Sequence, residues 1–220
     1  MRVLDLFCCQ GAATHGYERA GFTEATGVDK DPQPRYIGAA FHCADAIGFV
    51  HQRLEWIRET FAFIHASPPC QHDSDCQRIQ GREHPDLIGP AREALELTAL
   101  PYVIENVGGA QAKLRGPVML CGAMFGLHTY RHRYFEAGGG FSFGAPAHPE
   151  HTAVTVKMGR SLREGDFYHA VGNFSNVPYV REDMGVPWMS RDGIRECIPP
   201  AYTEFIGRQF MQYQIKKEAS

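Results

Sequence analysis

Short apolar runs recur along this chain, and each gives way to a polar stretch with helical spacing. Residues 2–8 (with VLDLF), 23–28, 61–66 and 102–107 are too short for core helices and suit buried strands. Residues 9–16 are small and include Gly11 and Gly16, which predicts a tight turn into a helix. Residues 54–60 and 86–100 read as helices. In the second, Leu87, Ile88, Ala91, Leu95 and Ala99 keep a helical spacing, and Pro101 stops it. Strands alternating with helices predict an α/β fold, a parallel sheet covered on both faces. The order changes after Gly108. Residues 136–180 are rich in Gly, Pro, His and aromatics without a period and predict an irregular appendage. Residues 201–215 return to a helix with Tyr202, Phe205, Ile206, Phe210 and Tyr213 on one face.

A length of 220 residues allows one domain, or one with a small appendage, and 44% hydrophobic content supplies an ordinary core. No apolar run approaches the roughly 18 residues that a membrane span needs. The opening MRVLDLFCCQGAATHG carries Asp5 in a short apolar run, unlike a secretory leader. A cytoplasmic protein is expected, and its seven cysteines are expected to be reduced thiols. The net charge is −3, unevenly spread. From 111 to 165 seven cations (Lys113, Arg115, Arg131, Arg133, Lys157, Arg160, Arg163) face three acids (Glu136, Glu150, Glu164), giving 7 − 3 = +4. A basic segment on an acidic body suits a polyanion-binding face. It suits equally a solvated loop region with scattered arginines.

Four features point to a site. The small-residue turn after the first strand lets backbone approach a ligand at a helix N-terminus. Asp29 in GVDKDP and Asp45 in CADA fall at successive strand ends, where carboxylates suit a nucleoside ligand in the crevice. Each alone would also serve as a turn or cap residue. Cys70 follows FAFIHAS behind Pro68 and Pro69, which fix the backbone and hold the thiol at a strand end. Glu105 in YVIENV puts an acid on an apolar strand at the crevice end, which is costly without a partner or a task. A nucleophile and a carboxylate over one crevice make a covalent-catalysis layout; a buried, inert cysteine is the alternative. The remaining cysteines, except Cys76, are read as inert. Cys70, His72, Cys76 and His84 fit no common zinc spacing, and no metal is expected.

Taken in order, DLFCCQGAATHGYERAGF, GVDKDP, SPPCQ, ENV and RHRYF resemble the motif series of the DNA (cytosine-5) methyltransferases. The likeness covers residues 2 to about 136 and resumes at VREDMGVPW and IPPAYTEFIG. It implies a Rossmann-like S-adenosylmethionine-dependent methyltransferase sheet. The core would span 1–135, a short target-recognition segment 136–180, and a closing part of the core 181–220. Phe7, Gly11, Asp29, Asp45 and Pro69 would hold S-adenosylmethionine. Cys70 would attack carbon 6 of a flipped cytosine, Glu105 would hold ring nitrogen 3 and the exocyclic amine, and Arg131 and Arg133 would stand at the paired catalytic arginines. Residues 71–84 resemble the loop that closes over DNA. Ser74, Arg78 and Arg82 there, with Lys157, Arg160 and Arg163, would contact nucleic acid. The implied protein is a monomeric enzyme acting on duplex DNA in a bacterial or phage-infected cell, as in restriction–modification.

Departures from the pattern are specific. Cys9 and Ala12 stand where the family has glycines, Thr129 replaces a glutamine before the arginines, and Arg195–Cys197 occupies the place of a Gly-Asn pair. The recognition segment is far shorter than usual. The same chemistry on tRNA or on a free cytosine nucleotide remains open, as does an inactive nucleic-acid-binding relative.

Overall fold

The computed structural model describes residues 1–69, 86–157 and 159–219. Seven strands form one sheet in the order β3-β2-β1-β4-β5-β7-β6. They are β1 (Arg2–Leu6), β2 (Glu24–Asp29), β3 (Ala40–Cys43), β4 (Phe63–Ala66), β5 (Tyr102–Asn106), β6 (Val118–Leu120) and β7 (Arg133–Gly138). The helices are α1 (Ala12–Ala20), α2 (Ala46–Gln52), α3 (Leu54–Thr60), α4 (Ile88–Thr98), α5 (Val177–Met184), α6 (Arg191–Glu196) and α7 (Pro200–Glu218). Among the described residues no helix is long and apolar enough to cross a membrane.

The strands bury both faces, because successive side chains alternate across a sheet. Leu4, Ile64 and Ile104 point to one side and pack with Phe49, Val50, Ile57 and Leu95 of α2, α3 and α4. Val3, Phe63 and Val103 point to the other and pack with Tyr17 of α1 and Tyr202, Ile206 and Phe210 of α7. Gly16 lets α1 and α7 meet closely: a Cβ there would overlap the Thr203 hydroxyl and the Pro200 carbonyl. This is the doubly wound, Rossmann-like α/β architecture expected.

Two expectations need correction. The sheet is not wholly parallel: β7 runs antiparallel to both β5 and β6. The third strand ends at Cys43, and Asp45 is the N-cap of α2, accepting the Gly48 N–H at 2.7 Å. In addition β7 runs across position 135, and α5 runs across position 180, so neither expected boundary falls between elements. The region 136–180 is not without a core. Leu162, Tyr168, Ala170 and Phe174 pack with Val180, Met184, Val186 and Ile194 in a third apolar cluster that also takes in Ala12.

Candidate active site

The chain leaves β1 for β2 and β3 on one side and returns to β4 on the other. The strand order therefore switches between β1 and β4, where crevices form at the strand C-termini in open α/β sheets. A cleft of about 310 Å³ lies there. Its wall includes Phe7 after β1, Asp29 at the end of β2, Asp45 before α2, Ser67, Pro68 and Pro69 after β4, Glu105 and Asn106 of β5, and Arg133 of β7.

The turn after β1 is tightly wound. Phe7 (φ 58°), Cys9 (φ 47°) and Gly11 (φ 83°) all adopt left-handed backbone. For Phe7 and Cys9 that conformation is strained, a cost that accumulates at ligand sites. Asp29 fastens the turn: Oδ2 accepts the Cys9 N–H at 2.9 Å and Oδ1 the Asp31 N–H at 3.0 Å. A carboxylate has about four acceptor positions, so two remain for a ligand. Gly11 does not line the cleft. It caps α1 and is crowded by Tyr36 and Ile37.

Glu105 is 6% exposed. Arg133 Nε lies 2.9 Å from its Oε1, yet that oxygen has no well-aligned hydrogen bond among the described residues, which leaves it able to accept one. Burial raises the carboxyl above its ordinary range, against the opposing pull of Arg133, Ser67 and Arg131. Behind it runs a buried relay. Ser67 lines the cleft beside Glu105 and favours its charged form. Its Oγ lies 2.8 Å from His65 Nε2, and His65 Nδ1 lies 3.0 Å from the Tyr17 hydroxyl. Burial pushes His65 down to about 3, so the ring is neutral. A neutral ring carries one N–H, so it donates to one of Tyr17 and Ser67 and accepts from the other.

Arg131 does not line the cleft. It is buried, and its guanidinium donates to the carbonyls of Ala170, Ile194, Arg195 and Cys197 at 2.5–3.3 Å. It binds the end of α6 to the segment before β7, and Arg133 alone of the pair reaches the cleft. Asn106, given no role from sequence, donates to the Pro68 carbonyl at 3.0 Å and so ties β5 to the prolines before Cys70. Ser67 was likewise given no role, and Arg195 and Glu196, noted only as a departure from the family pattern, also line the cleft. The ENV motif contained Asn106, but only the fold shows its target. Cys70, Ser74, Arg78 and Arg82 lie outside the described residues.

The basic segment is smaller at the surface than its charge count. Lys113 pairs with Asp86, Arg115 with Glu96 and Arg133 with Glu105, and Arg131 is buried. Lys157, Arg160 and Arg163 remain exposed on the irregular segment.

No protein-family model matches the chain, and no curated protein matches it. Solved structures similar to it include a protein described as a DNA modification methyltransferase encoded within an E. coli prophage. It is 23% identical with a TM-score of 0.44, over 61% of this chain and 45% of that one. Another is the S. pombe Dnmt2 methyltransferase, 16% identical with a TM-score of 0.38, over 62% of this chain and 48% of that one. The aligned part is thus about half the length of each.

Proposed function

We propose that this protein transfers a methyl group from S-adenosylmethionine to carbon 5 of cytosine in DNA, through a covalent adduct of Cys70. The observation that carries the reading is the buried Glu105, paired with Arg133 and facing a cleft at the topological switch point. The residues present suit the cofactor: the Phe7 ring for an adenine face, Asp29 with acceptor capacity for ribose hydroxyls, and Asp45 beside it. The cofactor supplies an electrophilic methyl group.

The chain's own residues do the rest. The Cys70 thiolate adds to carbon 6 and electron density moves into the ring. Glu105, with its raised proton affinity, shares a proton with ring nitrogen 3 and so stabilises that charge. Carbon 5 would take the methyl group as its bond to the sulfonium breaks, leaving the neutral thioether S-adenosylhomocysteine. A base then removes the carbon 5 proton, the 5,6 double bond re-forms, and the thiolate leaves. Arg133 holds Glu105, and Asn106 holds the Pro68 carbonyl two residues ahead of the nucleophile. The exposed Lys157, Arg160 and Arg163 offer contacts to the phosphate backbone.

The test is trapping. Duplex DNA carrying 5-fluorocytosine in varied contexts is incubated with protein and S-adenosylmethionine, then run on a denaturing gel. Carbon 5 then has no proton to lose, so the enzyme stalls as an adduct that Cys70→Ala abolishes. Adducts on fluorinated tRNA but on no duplex would move the substrate to RNA. No adduct on any cytosine substrate would overturn the chemistry.

A further inference from the structure

Away from the cleft, four ligating side chains converge where β6, β7 and the irregular segment meet. Cys121 follows β6 and is fully buried. His132 directly precedes β7, and His148 and His151 come from the segment beyond it. One donor atom from each lies within 4.8 Å of all the others. Cys121 Sγ is 3.4 Å from His151 Nε2, and His132 Nε2 is 3.2 Å from His148 Nε2.

We propose that Cys121, His132, His148 and His151 form a structural zinc site. Zinc–nitrogen bonds of ~2.0–2.1 Å and a zinc–sulfur bond of ~2.3 Å at tetrahedral angles place neighbouring ligand atoms about 3.3–3.6 Å apart. The two close pairs match that spacing. Three imidazoles and a thiolate suit zinc, and four protein ligands close its coordination sphere, as structural rather than catalytic sites require. The ligands are also braced. The His151 ring stacks on Tyr130 at 3.5 Å and 13°. The Tyr130 hydroxyl donates to the Ala153 carbonyl and accepts the Ala153 N–H, fixing the chain beside His151.

The location gives the ion a task. Among the described residues between 139 and 176 there is no helix or strand, only a single bridge between Val156 and Tyr168. Long segments of this kind are uncommon in compact domains unless something fastens them. The ion would staple this one to the sheet at His132, between Arg131 and Arg133. The inference stands independently of the methyl-transfer reading. It sets aside the sequence-based expectation of no metal, which weighed only Cys70, His72, Cys76 and His84: the four residues here are brought together by the fold and share no local spacing.

Untagged protein, exchanged into metal-free buffer, should retain about one zinc per chain. After stripping, cobalt(II) should give the visible bands of tetrahedral cobalt and a near-ultraviolet thiolate-to-metal band. Cys121→Ser should abolish the near-ultraviolet band. His148→Ala and His151→Ala, both at exposed positions, should each weaken binding beyond the ~10–100-fold cost of losing a supporting group. Substoichiometric zinc with no tetrahedral cobalt spectrum in the parent chain would overturn the site. So would tight metal binding that these substitutions leave unchanged, since the ion would then sit elsewhere.

Discussion

Val3, Leu4, Ile64 and Val103 in the sheet have no solvent exposure and are covered by helices on both faces. The segment between 139 and 176 buries a few side chains, Phe141, Leu162, Tyr168, Ala170 and Phe174, and its backbone is tied by individual polar pairs rather than by strands or helices. Ser175 Oγ accepts the Leu162 N–H and donates to the Arg160 carbonyl, Asn176 donates to the Leu162 carbonyl, and Arg131 donates to Ala170. Burial is additive and tolerant of detail, whereas a polar pair depends on one donor meeting one acceptor. The first region supplies a scaffold with a cleft at its switch point. The second is held by a small apolar cluster and by polar ties that each depend on one donor and one acceptor.

The largest effect should come at the cleft of the scaffold, at the Glu105–Arg133 pair. Glu105→Gln removes the charge but keeps the shape, so methyl-transfer kcat should fall by about 10²–10³, and Tm should drop because Arg133 is left without its counter-charge. A twofold loss would remove Glu105 from catalysis. Gly16→Ala strikes the scaffold alone. Its Cβ would overlap Thr203 and Pro200, and overpacking of this kind costs about 1–3 kcal/mol. Denaturant melts should show a lower midpoint; an unchanged midpoint would mean that the α1–α7 seam yields easily.

A pH series sharpens the account of the scaffold. Burial pushes Asp5 up to about 7 against bonds from Thr14, and pushes His65 down to about 3. Folded Asp5 keeps its proton after the unfolded chain has lost it, so its contribution to stability falls as pH rises from about 4 to about 7. Unfolded His65 gains a proton that the folded ring refuses, so stability falls as pH drops from about 6.5 toward 3. Between pH 4 and 6.5 the slopes oppose. Asp5→Asn should therefore leave stability rising with pH in that window, and His65→Asn should leave it falling, each by up to about 1.4 kcal/mol per pH unit. Parallel curves in both variants would refute the two assignments.

The smallest effect on folding should follow loss of Lys157, Arg160 and Arg163 together. Tm should hold, while the slope of log affinity for DNA against log salt should flatten by as much as about 2.7, roughly 0.9 per phosphate contact. An unchanged slope would remove the segment's exposed cations from the interface.

The same contrast explains what could be read in advance. Residues 54–60 were expected as a helix and form α3, and residues 86–100 contain α4, because apolar spacing and Pro101 mark them. The far edge of the sheet escaped the pattern: β6 has only three residues, too few for a period, and β7 reverses the strand direction. Asp29 and Asp45 were placed at the cleft from strand ends, but the cap that Asp45 forms depends on where α2 starts. Charge counting failed for Arg131 and Arg133, since a sequence does not distinguish a spent guanidinium from a free one. Asn106 and the Cys121–His151 cluster depend on partners distant in sequence, which no local spacing reveals.

The α1–α7 seam bears on how the protein is made. Tyr17 and Phe22 are covered by Ile206 and Phe210 of α7, which leaves the ribosome long after α1. The first βα unit must therefore wait, with an aromatic face uncovered, until nearly all described elements have emerged. The packing of that unit cannot be completed before α7 has emerged.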